Sequence, residues 1–125
     1  MNYIGIDYGL KSIGLSIATG PLAEPLATIS KDQIFNILPT LCSTHNVKDL
    51  VIGFPDGNIR PLVEKFYQQL EGLGYICHLA DETLSSRDAL ASLSHKKARK
   101  RKILEHAVAA TIILQNWLDS HSGTL

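Results

Sequence analysis

The first eighteen residues constrain this chain most. Residues 3 to 8 and 12 to 18 are apolar, β-rich runs separated only by Gly9-Leu10-Lys11. Three residues make a turn and little else, so the two runs pair as a β-hairpin. Within the first run, Gly5-Ile6-Asp7-Tyr8-Gly9 places a carboxylate inside an apolar strand, with glycines on both sides. A charge there is costly unless it is paired, hydrogen-bonded or bound to a metal. Gly9 lets the backbone turn and a phosphate come close. The plainer alternative is an aspartate that caps the hairpin.

Pro21 and Pro25 interrupt the pattern beyond the hairpin, so a third strand is expected to be short, Leu26 to Ile29. Ser30 then caps a helix from about Asp32 to Thr44, with Ile34, Ile37, Leu38 and Leu41 on one face and Pro39 placed to kink it. Asp49 to Phe54 is a continuous apolar run stopped by Pro55-Asp56-Gly57, the pattern of a buried parallel strand. A helix follows over Arg60 to Leu73, ended by Gly72 and Gly74, and Tyr75 to Ala80 is a further buried strand. Thr83 or Ser85 caps a helix from about Ser86 to Leu93, and Ile103 to Leu118 is the longest and most apolar helix. The order β-β-β-α-β-α-β-α-α predicts a mixed sheet covered by helices, in a single domain spanning residues 1–125.

Charge enters next because the average misleads. Twelve Lys and Arg balance twelve Asp and Glu over 125 residues, and zero net charge argues against a nucleic-acid partner. Yet Lys96, Lys97, Arg99, Lys100, Arg101 and Lys102 are half of the basic residues. The chain is therefore an acidic body, −6, with one basic strap, +6. Cys42 and Cys77 lack metal-type spacing and suit two reduced thiols in a cytoplasmic protein. No apolar run approaches the ~20 residues that cross a bilayer, so no membrane partner is expected.

In sheets of this kind, active residues gather where strands end and the strand order reverses. Here those ends are Asp7-Tyr8-Gly9, Pro55-Asp56-Gly57 and Asp81-Glu82. Taken alone, Asp81-Glu82 could be helix-N-terminal charge; combined with Asp7, it supplies the hard oxygen ligands that Mg²⁺ or Mn²⁺ prefers. Glu105 and His106 are neighbours on the last helix, about 100° apart, so one of them is expected to face the sheet. A lone histidine on an apolar helix is commonly a hydrogen-bonded core residue. The strap could be a solvated loop, but cations beside carboxylates also suit phosphodiester chemistry: bases hold the backbone and acids hold metal.

Together these motifs resemble the YqgF nuclease family. The opening segment Tyr3 to Ser16 is similar to the family's first signature, and Val51-Ile52-Gly53-Phe54-Pro55 to its central strand and loop. Ala80-Asp81-Glu82-Thr83-Leu84-Ser85-Ser86 resembles its acidic motif, and Ala109 to Gln115 its terminal helix. The resemblance implies an RNase H-like α/β fold: a five-stranded mixed sheet, its first three strands antiparallel and its last two parallel to strand 1. It also implies a metal-dependent nuclease that matures the 5′ end of small-subunit (pre-16S) ribosomal RNA, or a Holliday junction resolvase acting on branched DNA. A resolvase needs two active sites on one junction, so a homodimer is among the expectations.

Carried over by position, Asp7, Asp81 and Glu82 are the metal-binding and catalytic carboxylates, with Mg²⁺ or Mn²⁺ as cofactor. Lys11 lies near a substrate phosphate. The chain departs from the pattern at His106, where the family has aspartate, at Thr83, where it has arginine, and in a shorter loop after Pro55. His106 serves as ligand or general acid/base, or Glu105 reaches in instead, or activity is reduced and the chain is a non-catalytic RNA-binding assembly factor. Gly5-Ile6-Asp7-Tyr8-Gly9 is also similar to the phosphate loop of actin-like phosphotransferases, but those clamp nucleotide between two domains and this chain holds one.

Overall fold

The computed structural model describes residues 2–54, 58–81 and 98–122. The hairpin is present as β1 (Tyr3–Tyr8) and β2 (Ser12–Ala18), paired antiparallel with Asp7 opposite Gly14. β3 (Ala23–Ser30) follows, then a single 3₁₀ turn (Lys31–Gln33), α1 (Ile34–His45), β4 (Asp49–Phe54), α2 (Arg60–Gly72) and β5 (Ile76–Asp81). The last element described is the 25-residue helix α3 (Ala98–Ser122). The sheet order is β3-β2-β1-β4-β5, with β4 parallel to β1 and β5 parallel to β4. The expected mixed five-stranded sheet is therefore the observed one.

Both faces of this sheet are covered, which is why its central strands show no polar alternation. Ile4, Ile6 and Tyr8 of β1 and Ile13, Leu15 and Ile17 of β2 pack toward α1 and α2, against Ile34, Leu38, Val63, Phe66 and Leu70. On the other face, Ala18 and Val51 meet Ile113, Leu114 and Leu118 of α3. The buried Val63, Phe66 and Leu70 of α2 recur at helical spacing, and Pro61 occupies its first turn, where the missing N–H has no intrahelical partner to lose. Gly74, at φ +99°, turns the chain from α2 into β5.

Several expected boundaries are corrected. β3 runs eight residues and contains Pro25, which pairs with Ser16 beside a register shift between Leu15 and Ser16. An edge strand accepts proline because its missing N–H leaves no neighbour unsatisfied. Ser30 makes no side-chain cap; the 3₁₀ turn intervenes, and α1 begins at Ile34 and runs through Pro39 to His45, where Asn46 in the left-handed region ends it. β5 extends one residue further than expected, so Asp81 belongs to the strand. The last helix starts at Ala98, so Arg99, Lys100, Arg101 and Lys102 are helical in backbone rather than a loop. The expected helix over 86–93, the loop at 55–57, Glu82, Thr83, Lys96 and Lys97 lie outside the described residues.

Candidate active site at the ends of β1 and β5

The two small residues Gly14 and Ser16 on β2 let α3 approach the sheet backbone closely. A methyl group at Gly14 would collide with the carbonyl of His106, and the Ser16 hydroxyl donates a 2.7 Å hydrogen bond to the Ala110 carbonyl. Ala107, Ala109 and Ala110 are buried along the same helix, so backbone meets backbone with little side chain between. This docking fixes where His106 can be. Because Asp7 pairs with Gly14, the residue packed over Gly14 is brought beside Asp7.

His106 Nδ1 lies 3.1 Å from Asp7 Oδ2. The Asp7 side chain is 11% exposed and that of His106 34%, so the carboxylate is the sunken partner and the imidazole borders solvent. Gly9 continues the cradle: a Cβ added there would stand 3.1 Å from His106 Cε1. Of the expected pair Glu105 and His106, His106 faces the sheet; the Glu105 side chain lies outside the described residues.

β1, β4 and β5 are parallel, so their C-terminal ends share one edge of the sheet. Ile6, Ile52 and Leu79 form one register row; beyond it Gly53 pairs with Ala80, and Asp7 is the next residue of β1. Strands are spaced ~4.8 Å apart, so the β1 and β5 backbones stand roughly 10 Å apart in the Ile6–Ile52–Leu79 row, with β4 between them. Asp81 is the following residue, opposite Phe54, and its side chain is outside the description, as are those of Arg99, Lys100, Arg101 and Lys102. Among the described residues no group of three or more His, Cys, Asp or Glu gathers in a form that could hold a metal ion. Asp7 and His106 provide one oxygen and one nitrogen donor at one point, a pair compatible with a divalent ion that fills its remaining positions with water or phosphate oxygen.

The Lys11 side chain is exposed in the β1–β2 turn at this same end. Sequence reasoning missed Lys31, whose backbone N–H donates to the Lys11 carbonyl at 3.0 Å and whose ammonium lies 5.8 Å from the centre of the Tyr8 ring. It also missed Gly14 as the residue that seats His106; the signal was the Gly-x-Ser alternation in Ile13-Gly14-Leu15-Ser16. A second aspartate–histidine contact, His78 Nε2 to Asp49 Oδ1 at 3.2 Å, sits toward the opposite end of the sheet. The His78 ring packs 4.7 Å from that of Trp117, which also meets Tyr3 at 5.2 Å and His121 at 4.0 Å. That pair anchors the C-terminal half of α3 and lies away from the strand ends where α/β sheets bind ligands.

A sheet of order 3-2-1-4-5, with an aspartate at the end of its central strand and a long helix carrying a polar group to it, defines the RNase H-like class. The chain belongs to the RuvX family, described as Holliday junction resolvase, which matches residues 1–120. It is similar to proteins named "Putative pre-16S rRNA nuclease" from Crocosphaera subtropica, at 37% identity over 98% of this chain and 95% of the relative, and from Myxococcus xanthus, at 35% identity over 97% and 89%. Among solved structures, Thermus thermophilus RuvC in complex with a Holliday junction substrate superimposes with a TM-score of 0.56. Its sequence is 16% identical, and the match covers 99% of this chain and 98% of that one, a likeness of fold.

Proposed function

We propose that this chain is a divalent-metal-dependent nuclease that hydrolyses phosphodiester bonds, acting in 5′-end processing of pre-16S ribosomal RNA. The observation that carries the reading is Asp7, a sunken carboxylate at the end of the central strand, on the same sheet edge as Asp81. A sunken carboxylate is costly without a partner or ligand, and the partner it has, His106, itself borders solvent at the strand ends. Names carried by relatives that match nearly the whole chain support the substrate.

In this reading Asp7, Asp81 and Glu82 hold Mg²⁺ or Mn²⁺. When bound, such an ion stabilises the negative charge that develops on the attacking and leaving oxygens of a phosphodiester. The protein's own contribution is placement. β1 and β5 carry the two acidic positions, Asp7 and Asp81, at the C-terminal ends of strands that flank β4, whose residue beside Ala80 is Gly53. Lys11, with Lys31 beside it, offers cations at the hairpin end, and Arg99 to Lys102 extend the positive charge along α3, with Lys96 and Lys97 preceding it. His106 stands 3.1 Å from Asp7 at the same point.

The family's description favours a second substrate, a four-way DNA junction. Cleavage assays on matched precursor-RNA and four-way-junction substrates, with Mn²⁺, with Mg²⁺ and with EDTA, test both. RNA cut at the 5′ boundary and an intact junction support the proposal; the reverse pattern makes the chain a resolvase. Tight binding with no cleavage of either makes it an assembly factor.

A further inference from the structure

We propose that His106 acts with Asp7 as a metal ligand and sets the site's preference for a first-row transition dication such as Mn²⁺ over Mg²⁺. The inference rests on the nuclease reading only in taking Asp7 as a place where metal binds. Its grounds are local. Nδ1 of His106 and Oδ2 of Asp7 are 3.1 Å apart. Two adjacent donors around one six-coordinate ion, with bonds of ~2.1 Å, stand about 3 Å apart. The pair is therefore close enough to share one ion once the imidazole proton leaves Nδ1 and the ring turns so that its lone pair and the carboxylate oxygen meet at the ion rather than at each other.

The backbone that carries the ring is held in place, with room for the ring beside Gly9. The His106 carbonyl packs against Gly14, its Cε1 faces Gly9, and the next residue, Ala107, is 5% exposed. An imidazole anchored at this point offers nitrogen, never oxygen, to an ion beside Asp7. Mg²⁺ is small, dehydrates reluctantly and takes oxygen, whereas imidazole nitrogen suits first-row transition ions. An aspartate at position 106 would have added a second oxygen donor and a second negative charge; histidine adds neither.

The Asp49–His78 pair supplies an internal control. It has nearly the same separation, 3.2 Å, but its histidine is packed against Trp117. It lies toward the opposite end of the sheet, away from the shared strand ends.

The test is metal binding by the full chain, without nucleic acid. Free Mn²⁺ is titrated by its electron paramagnetic resonance signal, Mg²⁺ competes for the site, and electron spin-echo modulation detects nitrogen bound to Mn²⁺. The wild-type protein is expected to show nitrogen modulation. In His106→Asp that modulation disappears and the Mn²⁺-over-Mg²⁺ preference falls at least about tenfold, the lower end of what even outer-shell changes cost a metal site. Asp49→Asn leaves both unchanged. Absence of nitrogen modulation in the wild type, an unchanged preference in His106→Asp, or a loss in Asp49→Asn equal to that in His106→Asp overturns the proposal. Nitrogen-ligated Mn²⁺ in a protein that cleaves nothing would remove the nuclease reading and leave this one standing. Mg²⁺-supported cleavage without nitrogen ligation would do the opposite.

Discussion

Asp7 and His106 are separated by 99 residues in sequence and by 3.1 Å in space. The contact joins the end of the central strand to the early part of the last helix, so it depends on how α3 docks on the hairpin. The relationship therefore ties the geometry of the candidate site to the packing of α3.

Gly14→Ala tests the packing. The added methyl group meets the carbonyl of His106, which is backbone and cannot rotate aside. Overpacking of this kind costs about 1–3 kcal/mol. Urea denaturation should show that loss, together with weakened Mn²⁺ binding as His106 is pushed from Asp7. Wild-type stability in Gly14→Ala would mean that α3 does not pack so closely on β2.

Lys100, Arg101 and Lys102, changed together to Gln, test the basic segment. Gln keeps helix propensity close to that of Lys and Arg, so α3 should persist. Each lost phosphate contact lowers the slope of log affinity against log salt by roughly 0.7–0.9, so the triple variant should bind RNA more weakly with a slope reduced by up to ~2–3. Equal affinity at low and high salt for variant and wild type would make these residues a solvated surface.

The two thiols predict an alkaline limit on stability. Burial pushes the Cys42 thiol up from 9.0 to about 11. Burial, and then the negative charge of Glu71, push Cys77 up to about 11 as well. The unfolded chain therefore releases these protons at lower pH than the folded one. Above the unfolded pKa the unfolded state binds fewer protons, and stability falls as pH rises from about 9 toward 11. Tyr67 and Tyr75, also raised by burial, act in the same direction. Thermal melts between pH 8 and 10.5 should show Tm declining, and declining less in the Cys42→Ala/Cys77→Ala protein. Identical pH profiles for the two proteins would contradict this.

How much of this was visible in the sequence differs between elements. The β1–β2 hairpin, β4 and α2 were legible because each is bounded by turn chemistry and its apolar residues have an unambiguous period. β3 was legible only in part: Pro25 looks like a breaker until the strand is known to be at an edge, which is a property of the whole sheet. α3 was cut short at its start because Arg99 to Lys102 carry no apolar period, although Arg and Lys are good helix formers. At the site, Asp7 was evident as a charge inside an apolar strand. Its contact with His106 was not, because that depends on Gly14 and Ser16 drawing α3 onto β2. Lys31 was missed because its nearness to Lys11 arises only when β3 pairs with β2.

The most direct test of the whole account is single-turnover cleavage of precursor RNA and of a four-way junction by wild type and Asp7→Asn, in Mn²⁺, with thermal melts confirming that both proteins fold. The account predicts EDTA-sensitive cleavage by the wild type, and a loss on the order of 10³-fold or more in Asp7→Asn with substrate binding retained. Cleavage by Asp7→Asn at the wild-type rate would contradict it, as would a wild-type protein that binds both substrates and cuts neither.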